Sequence, residues 1–292
     1  MLRHTILLFL IVCVSITIAN PVGGEVFTRS GLVDIPTGRV LQHGIFEAST
    51  YLGFQQEVTN RFTTNLGDTV AVRLNFGLFD RVEVGLTHLW NEYGKEPSAD
   101  RTANLKFQLL KEPETGAIPS IAVGIEKLGR DIVLWDSEAG KNRSSSAFLA
   151  ISKTFNLPRI HQFSGHIGIG TQRFALEENL VGLFVGVSKE FRPAFARGNI
   201  TTSLEFDGAG VNAGMRYITS SGLQIALGAE TLNNPDKLRY LASVSWTNAQ
   251  ILEQIDETRR LITRATELAV QAKRASAEKK QTDNVTETPS PQ

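Results

Sequence analysis

The sequence predicts an all-β fold: a single-chain antiparallel outer-membrane β-barrel of about 12 strands, followed by a C-terminal periplasmic α-helix. Three observations carry that expectation. Between residues 45 and 246, short segments alternate apolar and polar side chains with a period of two. The polar face of this alternation carries charge along its whole length, at Glu47, Arg73, Glu83, Lys106, Glu205, Arg216 and Glu230, where a soluble sandwich would bury more fully apolar strands. The connections alternate between short and long, the rhythm of barrels with short periplasmic turns and longer extracellular loops.

Composition sets the outer bounds. The chain has 292 residues, with 30 Lys+Arg balanced by 30 Asp+Glu. A net charge near zero excludes a nucleic-acid partner, which requires a basic face. Hydrophobic content of 41% and a mean hydropathy of −0.08 are too low for a bundle of membrane-spanning helices.

The elements follow in order. Residues 1–19 open with Arg3 and His4, continue with an apolar run and end at Thr17-Ile18-Ala19, so they read as a signal peptide cleaved after Ala19. The run is short for a retained anchor. Cys13 is preceded by Val12, where a lipoprotein site needs a small residue, and it is the chain's one cysteine, so the mature chain is expected to hold no disulfide.

Residues 20–44 form an N-terminal periplasmic or lumen segment. Its stretch "GLVDIPTGRVLQHG" (31–44) breaks the alternation with Pro36, Arg39 and three glycines. One reading tucks it into the barrel mouth or lumen, with Arg39 meeting the inward carboxylates Glu83, Glu205 or Glu230, because a charge in that setting needs a partner. The other is a flexible lead-in with a solvated Arg39.

The barrel is expected over 45–246. The clearest strand is "TVAVRLNFGL" (69–78), with Val70, Val72, Leu74, Phe76 and Leu78 on one face. "RVEVGLTHLW" (81–90) repeats the pattern on the same parity, which requires an odd-length turn near Phe79-Asp80-Arg81. Further strands are read at 45–53, 103–110, 120–127, 147–155, 161–171, 180–190, 200–207, 211–217, 223–231 and 238–246. Connections at 54–68, 91–100 and 128–145 read as long, and those at 79–80, 111–117 and 156–159 as short. With 79–80 periplasmic, both termini lie in the periplasm. Trp90, Phe155, Phe191, Tyr217 and Trp246 stand near strand ends and suit the interfacial aromatic girdles against outer-membrane lipid. Pro36, Arg39, Arg73, Glu83, Glu205, Arg216 and Glu230 are the candidates for lumen or plug. Tyr51 and Phe184 are the inward aromatic candidates. A ring of this size leaves a bore of roughly 12 Å, enough for an extended sugar chain and too narrow for a folded protein.

At Thr247 the period changes to that of a helix, read over 247–280. Thr247 and Gln250 make a capping-box pattern, and Asp256 stands four residues before Arg260. Leu252, Ile255, Ile262 and Ala269 form one stripe, and Leu261, Ala265, Leu268 and Ala272 the next. The helix reads as docked beneath the barrel, bound to a periplasmic protein or self-associating; the alternative is a solvated tail. Residues 281–292 read as disordered.

A leader, then Gly31…Pro36-Thr37-Gly38-Arg39…Gly44, then period-two strands, resembles the YjbH-like family over roughly residues 25–246. Gly38 stands where that family usually has alanine. The resemblance implies an outer-membrane barrel found with exopolysaccharide and group 4 capsule operons, and a non-catalytic role in polysaccharide secretion or surface assembly. A diffusion porin and a structural barrel with a partner-binding helix remain open. His43, His88, His161 and His166 show no nucleophile–base spacing, and no metal-ligand spacing or phosphate loop is present, so neither enzyme nor cofactor is expected.

Overall fold

A computed structural model describes residues 27–59, 63–91, 98–113, 116–129, 145–157, 161–175, 180–193 and 197–286. The leader (1–19) lies outside the described residues. The chain forms two compact units, divided between Asn248 and Ala249.

The first unit is a closed antiparallel barrel of twelve strands. In order these are β1 (Phe46–Thr59), β2 (Thr63–Leu78), β3 (Val82–Asn91), β4 (Ser98–Leu110), β5 (Ser120–Gly129), β6 (Ser146–Leu157), β7 (His161–Thr171), β8 (Val181–Phe191), β9 (Gly198–Phe206), β10 (Val211–Thr219), β11 (Leu223–Glu230) and β12 (Arg239–Thr247). Each strand pairs with the next. β1 closes the ring on β12, from Glu47↔Thr247 to Gln55↔Arg239. Closure leaves no open sheet edge, the condition for a sheet to stand in a bilayer.

Parity decides what each strand shows. Val70, Val72, Leu74 and Phe76 on β2 are exposed, as are Leu105, Phe107 and Leu109 on β4 and Leu183, Val185 and Val187 on β8. The alternate residues, Ala71, Arg73, Asn75, Asn104, Lys106, Gln108 and Phe184, are buried. A continuous apolar outer band around a polar, buried interior is unstable in water and stable in lipid. The chain is therefore an outer-membrane-type β-barrel. The odd-length turn required by parity is Phe79–Arg81, with Leu78 paired to Val82.

The 54–68 stretch is not a long loop. β1 and β2 stay paired through Thr59↔Thr63, although β12 follows β1 only to Gln55 and β3 follows β2 only to Thr69. The two strands thus run beyond both neighbours as a hairpin, because cross-strand pairing satisfies their backbone groups without a third strand. Residues 92–97 and 130–144 of the other two long connections lie outside the described residues.

The second unit is one helix, α1 (Ala249–Thr286). Among the described residues no helix is long and apolar enough to cross a membrane. The boundaries differ from expectation at both ends. Thr247 is the last residue of β12, the helix begins at Ala249, and residues 281–286, read as disordered, continue it. Helix propagation costs little once nucleated, and Gln281, Thr282 and Asp283 do not break it. Residues 287–292 lie outside the described part. Asp256 faces Arg259 at 4.0 Å, not Arg260; both side chains are exposed, so the pair adds little.

Candidate functional site

The lumen is occupied by the chain's own N-terminal segment. Residues 27–44 reach inward side chains of strands spread around the whole ring, which is possible only from inside it. On β1, Glu47 accepts from the Arg29 N–H (2.9 Å). On β3, Glu83 accepts from the Ser30 hydroxyl (2.7 Å) and the Leu41 N–H (2.9 Å). On β4, Lys106 donates to Ser30 and Gln108 to the Gly38 carbonyl. On β6, Ser152 accepts from the Gly38 N–H. On β9, Glu205 accepts from the N–H groups of Val33 (3.0 Å) and Asp34 (2.7 Å). On β10, Arg216 donates to the Thr28 carbonyl.

Local sequence explains this shape. Residues 32–35 make a turn closed by the Leu32 N–H on Ile35 O, and Gly31 bridges Pro36 across its base. Thr37 donates both its N–H and its hydroxyl to Ser30 O. Pro36 cannot donate, so it stands where no wall acceptor needs it. The turn leaves the N–H groups of residues 33 and 34 pointing outward, and a wall carboxylate fills that need. Charge-assisted bonds of this kind are roughly twice as strong as neutral ones.

Apolar residues fill the remaining space. Phe27 and Val33 pack with Tyr51, Ala71, Ala226 and Leu241. Leu32 and Ile35 pack with Phe148, Ala150, Phe174 and Phe184. Close approach requires glycine, as Gly186 and Gly38 show. A Cβ on Gly186 of β8 would press on the Leu32 and Ile35 side chains (2.7 and 2.8 Å). A Cβ on Gly38 would meet the Ser120 carbonyl oxygen, so alanine there needs a shift of the segment.

A second insertion braces the first. Arg173 and Phe174 lie in a 3₁₀ turn (Gln172–Phe174) after β7. Arg173 grips Glu126 with two bonds (2.6 and 3.0 Å) and Asp34 with two, to its carboxylate and its carbonyl (both 2.8 Å). Its guanidinium lies 3.9 Å from the centre of the Phe174 ring. Burial works against its charge, but the Asp34 and Glu126 carboxylates outweigh it and raise its pKa further.

The structure places the expected residues differently from one another. Glu83, Glu205 and Arg216 hold the segment. Arg73 is buried but donates to Thr87 and lies over the Tyr51 ring. Glu230 pairs with Arg239 at 3.0 Å. Arg39 does not meet Glu83, Glu205 or Glu230. It lies at the end of the barrel that carries the Phe79–Arg81 turn, paired with Glu112 (3.1 Å) and bonded to Thr154 and Ser164. Backbone N–H groups of the segment take the carboxylates Glu83 and Glu205, which leaves the long Arg39 side chain free to reach the mouth.

Of the girdle residues, Phe155 stacks on Phe163 (5.2 Å), and Phe191 is exposed at the end of β8. Tyr217 donates to Arg197 O, and Trp246 to Ser221 O while packing on Phe46. All four stand toward the same barrel end. Trp90 is in β3, and its side chain lies outside the described residues.

Sequence reasoning missed Asp34, Glu126, Arg173, Phe174 and Glu112. Asp34 and Arg173 lie outside the alternating strands, so period two says nothing of them. Of the histidines, His166 is buried between the Ser152 and Ser188 hydroxyls, beneath Gly38. Among the described residues, no three His, Cys, Asp or Glu side chains form a metal-binding group.

Glu112 supplies a pH-sensitive anchor at the mouth. Burial opposes its charge, but the Thr154 N–H, Lys153 and Arg39 outweigh that and hold its pKa below the usual 4.5. A lowered carboxyl pKa stabilises the folded state above the ordinary value and is lost as pH falls through the folded one. Hydrogen exchange of residues 38–44 should therefore accelerate only below pH 4.5, and Glu112→Gln should remove that dependence. The change is expected to be modest, because Arg39 is 40% exposed and solvent screens the pair. Acceleration above pH 6 would contradict it.

A family model, YjbH, described as exopolysaccharide biosynthesis protein YbjH, matches residues 24–234. No curated protein sequence matches the chain. Among solved structures, the β domain of the Bordetella autotransporter BrkA is similar at 11% identity and a TM-score of 0.32, covering 69% of this chain and 98% of that one. Salmonella typhi OmpF in complex with daunomycin is similar at 6% identity and a TM-score of 0.30 (70% and 97% covered). A porin mutant of Rh. blastica is similar at 7% identity and a TM-score of 0.28 (70% and 99% covered).

Proposed function

The chain belongs to the YjbH family of exopolysaccharide biosynthesis proteins, and from that premise we propose that it is a non-catalytic outer-membrane barrel for exopolysaccharide secretion or surface assembly, closed at rest by residues 27–44. The observation that carries this reading is the attachment of the segment to Glu83 and Glu205 on opposite parts of the wall. A pore meant for steady diffusion has no use for a covalently attached peptide fastened across its bore. Once the segment withdraws, the wall presents Tyr51, Phe148 and Phe184 among acidic and amide side chains, and sugar rings stack on aromatic faces.

The short Phe79–Arg81 turn lies at the barrel end where β1 begins and β12 finishes. Short turns face the periplasm in barrels of this kind, which supports a periplasmic start for β1 and a periplasmic end for β12. That sets the plug's entrance on the side from which a polymer would arrive.

A filled structural barrel is the second reading, favoured by the buried Arg173–Asp34–Glu126 brace, which fastens the segment more firmly than a gate requires. Host cells lacking the chain should show less polymer at the surface, with an intracellular excess. Intact chain should restore it. Unchanged surface polymer in the deletion strain would reject secretion. Full rescue by a chain whose plug is chemically cross-linked to the wall would favour the structural reading.

A further inference from the structure

We propose that residues 251–275 of α1 form a parallel, in-register bundle with the same residues of other copies of this chain. α1 leaves large aliphatic side chains open: Leu261 is 62% exposed, Ile262 61% and Leu268 57%, with Ile251 and Ile255 above 40%. A lone soluble helix gains nothing from such residues on one stripe.

Their spacing names the occupant. With Thr258, Ala265 and Ala272 at heptad position a, Leu261, Leu268 and Ala275 fall at d, and Ile255, Ile262 and Ala269 at e. A three-position face of this kind suits a helix bundle, and its width exceeds that of a strict two-position seam. The alanines at a let backbones approach closely around the larger d and e residues. Every charged residue from 251 to 276 falls at b, c, f or g. No charge is therefore desolvated when identical faces meet, and position e carries none to repel a neighbour's g. The exclusion lets this face meet its own copy with no like charges opposed, so a second copy is the occupant the chain itself supplies.

Connectivity sets the direction. β12 ends at Thr247 and α1 starts at Ala249. Barrels in one membrane share an orientation, so every copy starts its helix from the same barrel end. Identical helices started at one level meet in parallel and in register.

Cysteine cross-linking in the full-length chain, reconstituted in vesicles with Cys13 replaced by Ala, tests this. Leu268→Cys, at d, should form interchain disulfides about tenfold faster than Thr263→Cys, at the outward f position. Leu261→Glu, added to an Ala272→Cys chain, should reduce its cross-linking by a similar factor. Unchanged electrophoretic heat-modifiability would show that the barrel itself is intact. Equal rates at 268 and 263, insensitivity to Leu261→Glu, or a monomer throughout would each overturn the proposal, the last leaving a solvated rod or a different partner.

Discussion

Removing residues 27–43 should turn a nearly closed barrel into a conducting one. The wall owes its closure to strand pairing, which the deletion does not touch: β1 still meets β12 over nine residue pairs from Glu47↔Thr247 to Gln55↔Arg239. What is lost is the material inside, both apolar clusters and the bonds to Glu47, Glu83 and Glu205. Water replaces it, because the exposed wall is rich in charge. A ring of this size without its plug leaves a bore of roughly 12 Å, so single-channel conductance in a planar bilayer should rise by about tenfold or more. Glu205→Ala alone should give flickering openings, because Val33 and Asp34 lose their shared acceptor while the rest of the segment stays held. Equal conductance of the intact and deleted chains would show that the segment does not block the lumen.

Arg173→Ala should loosen the segment more than any other single change. The guanidinium pairs with two buried carboxylates at once, Asp34 and Glu126, with side-chain exposures of 11% and 2%. Removing one partner of a buried ion pair leaves its opposite charge unpaired, at a cost of about 3–5 kcal/mol. Here two acidic groups are left facing each other across the vacated site. Hydrogen exchange over residues 30–37 should accelerate by on the order of a hundredfold, the equivalent of about 3 kcal/mol of local stability. Arg173→Lys should recover only part of this, because an ammonium cannot hold Glu126 with two parallel bonds. The double change Arg173→Ala with Glu126→Gln should cost less than Arg173→Ala alone, since it removes the charge that was left behind. Additive effects would mean that the two side chains act independently.

Much of this protein is legible in its sequence, and the reason is geometric. In a strand, consecutive side chains take opposite faces, so Val70, Val72, Leu74 and Phe76 declare an outer face without any knowledge of neighbours. Repeated from residue 45 to 246 over a charged alternate face, that rule leaves a closed barrel as the stable solution. Parity required an odd-length turn near Phe79–Arg81 in the same way. The proline and glycines of 31–44 show that this stretch is no strand.

Which groups meet inside the ring was decided only by the tertiary structure. Period two says that Glu83, Glu205 and Glu230 are available; it carries no azimuth around the barrel and no depth along it. Those follow from the registers of twelve pairings and the path of the segment. Hence Val33 finds Glu205 across 172 residues, and Arg39 stops at Glu112 instead of the deeper carboxylates. Arg173 became the central brace from a connection where alternation had ended. Its role exists only because closing the ring carries the end of β7 to the tip of a segment nearly 140 residues earlier in the chain, at Asp34.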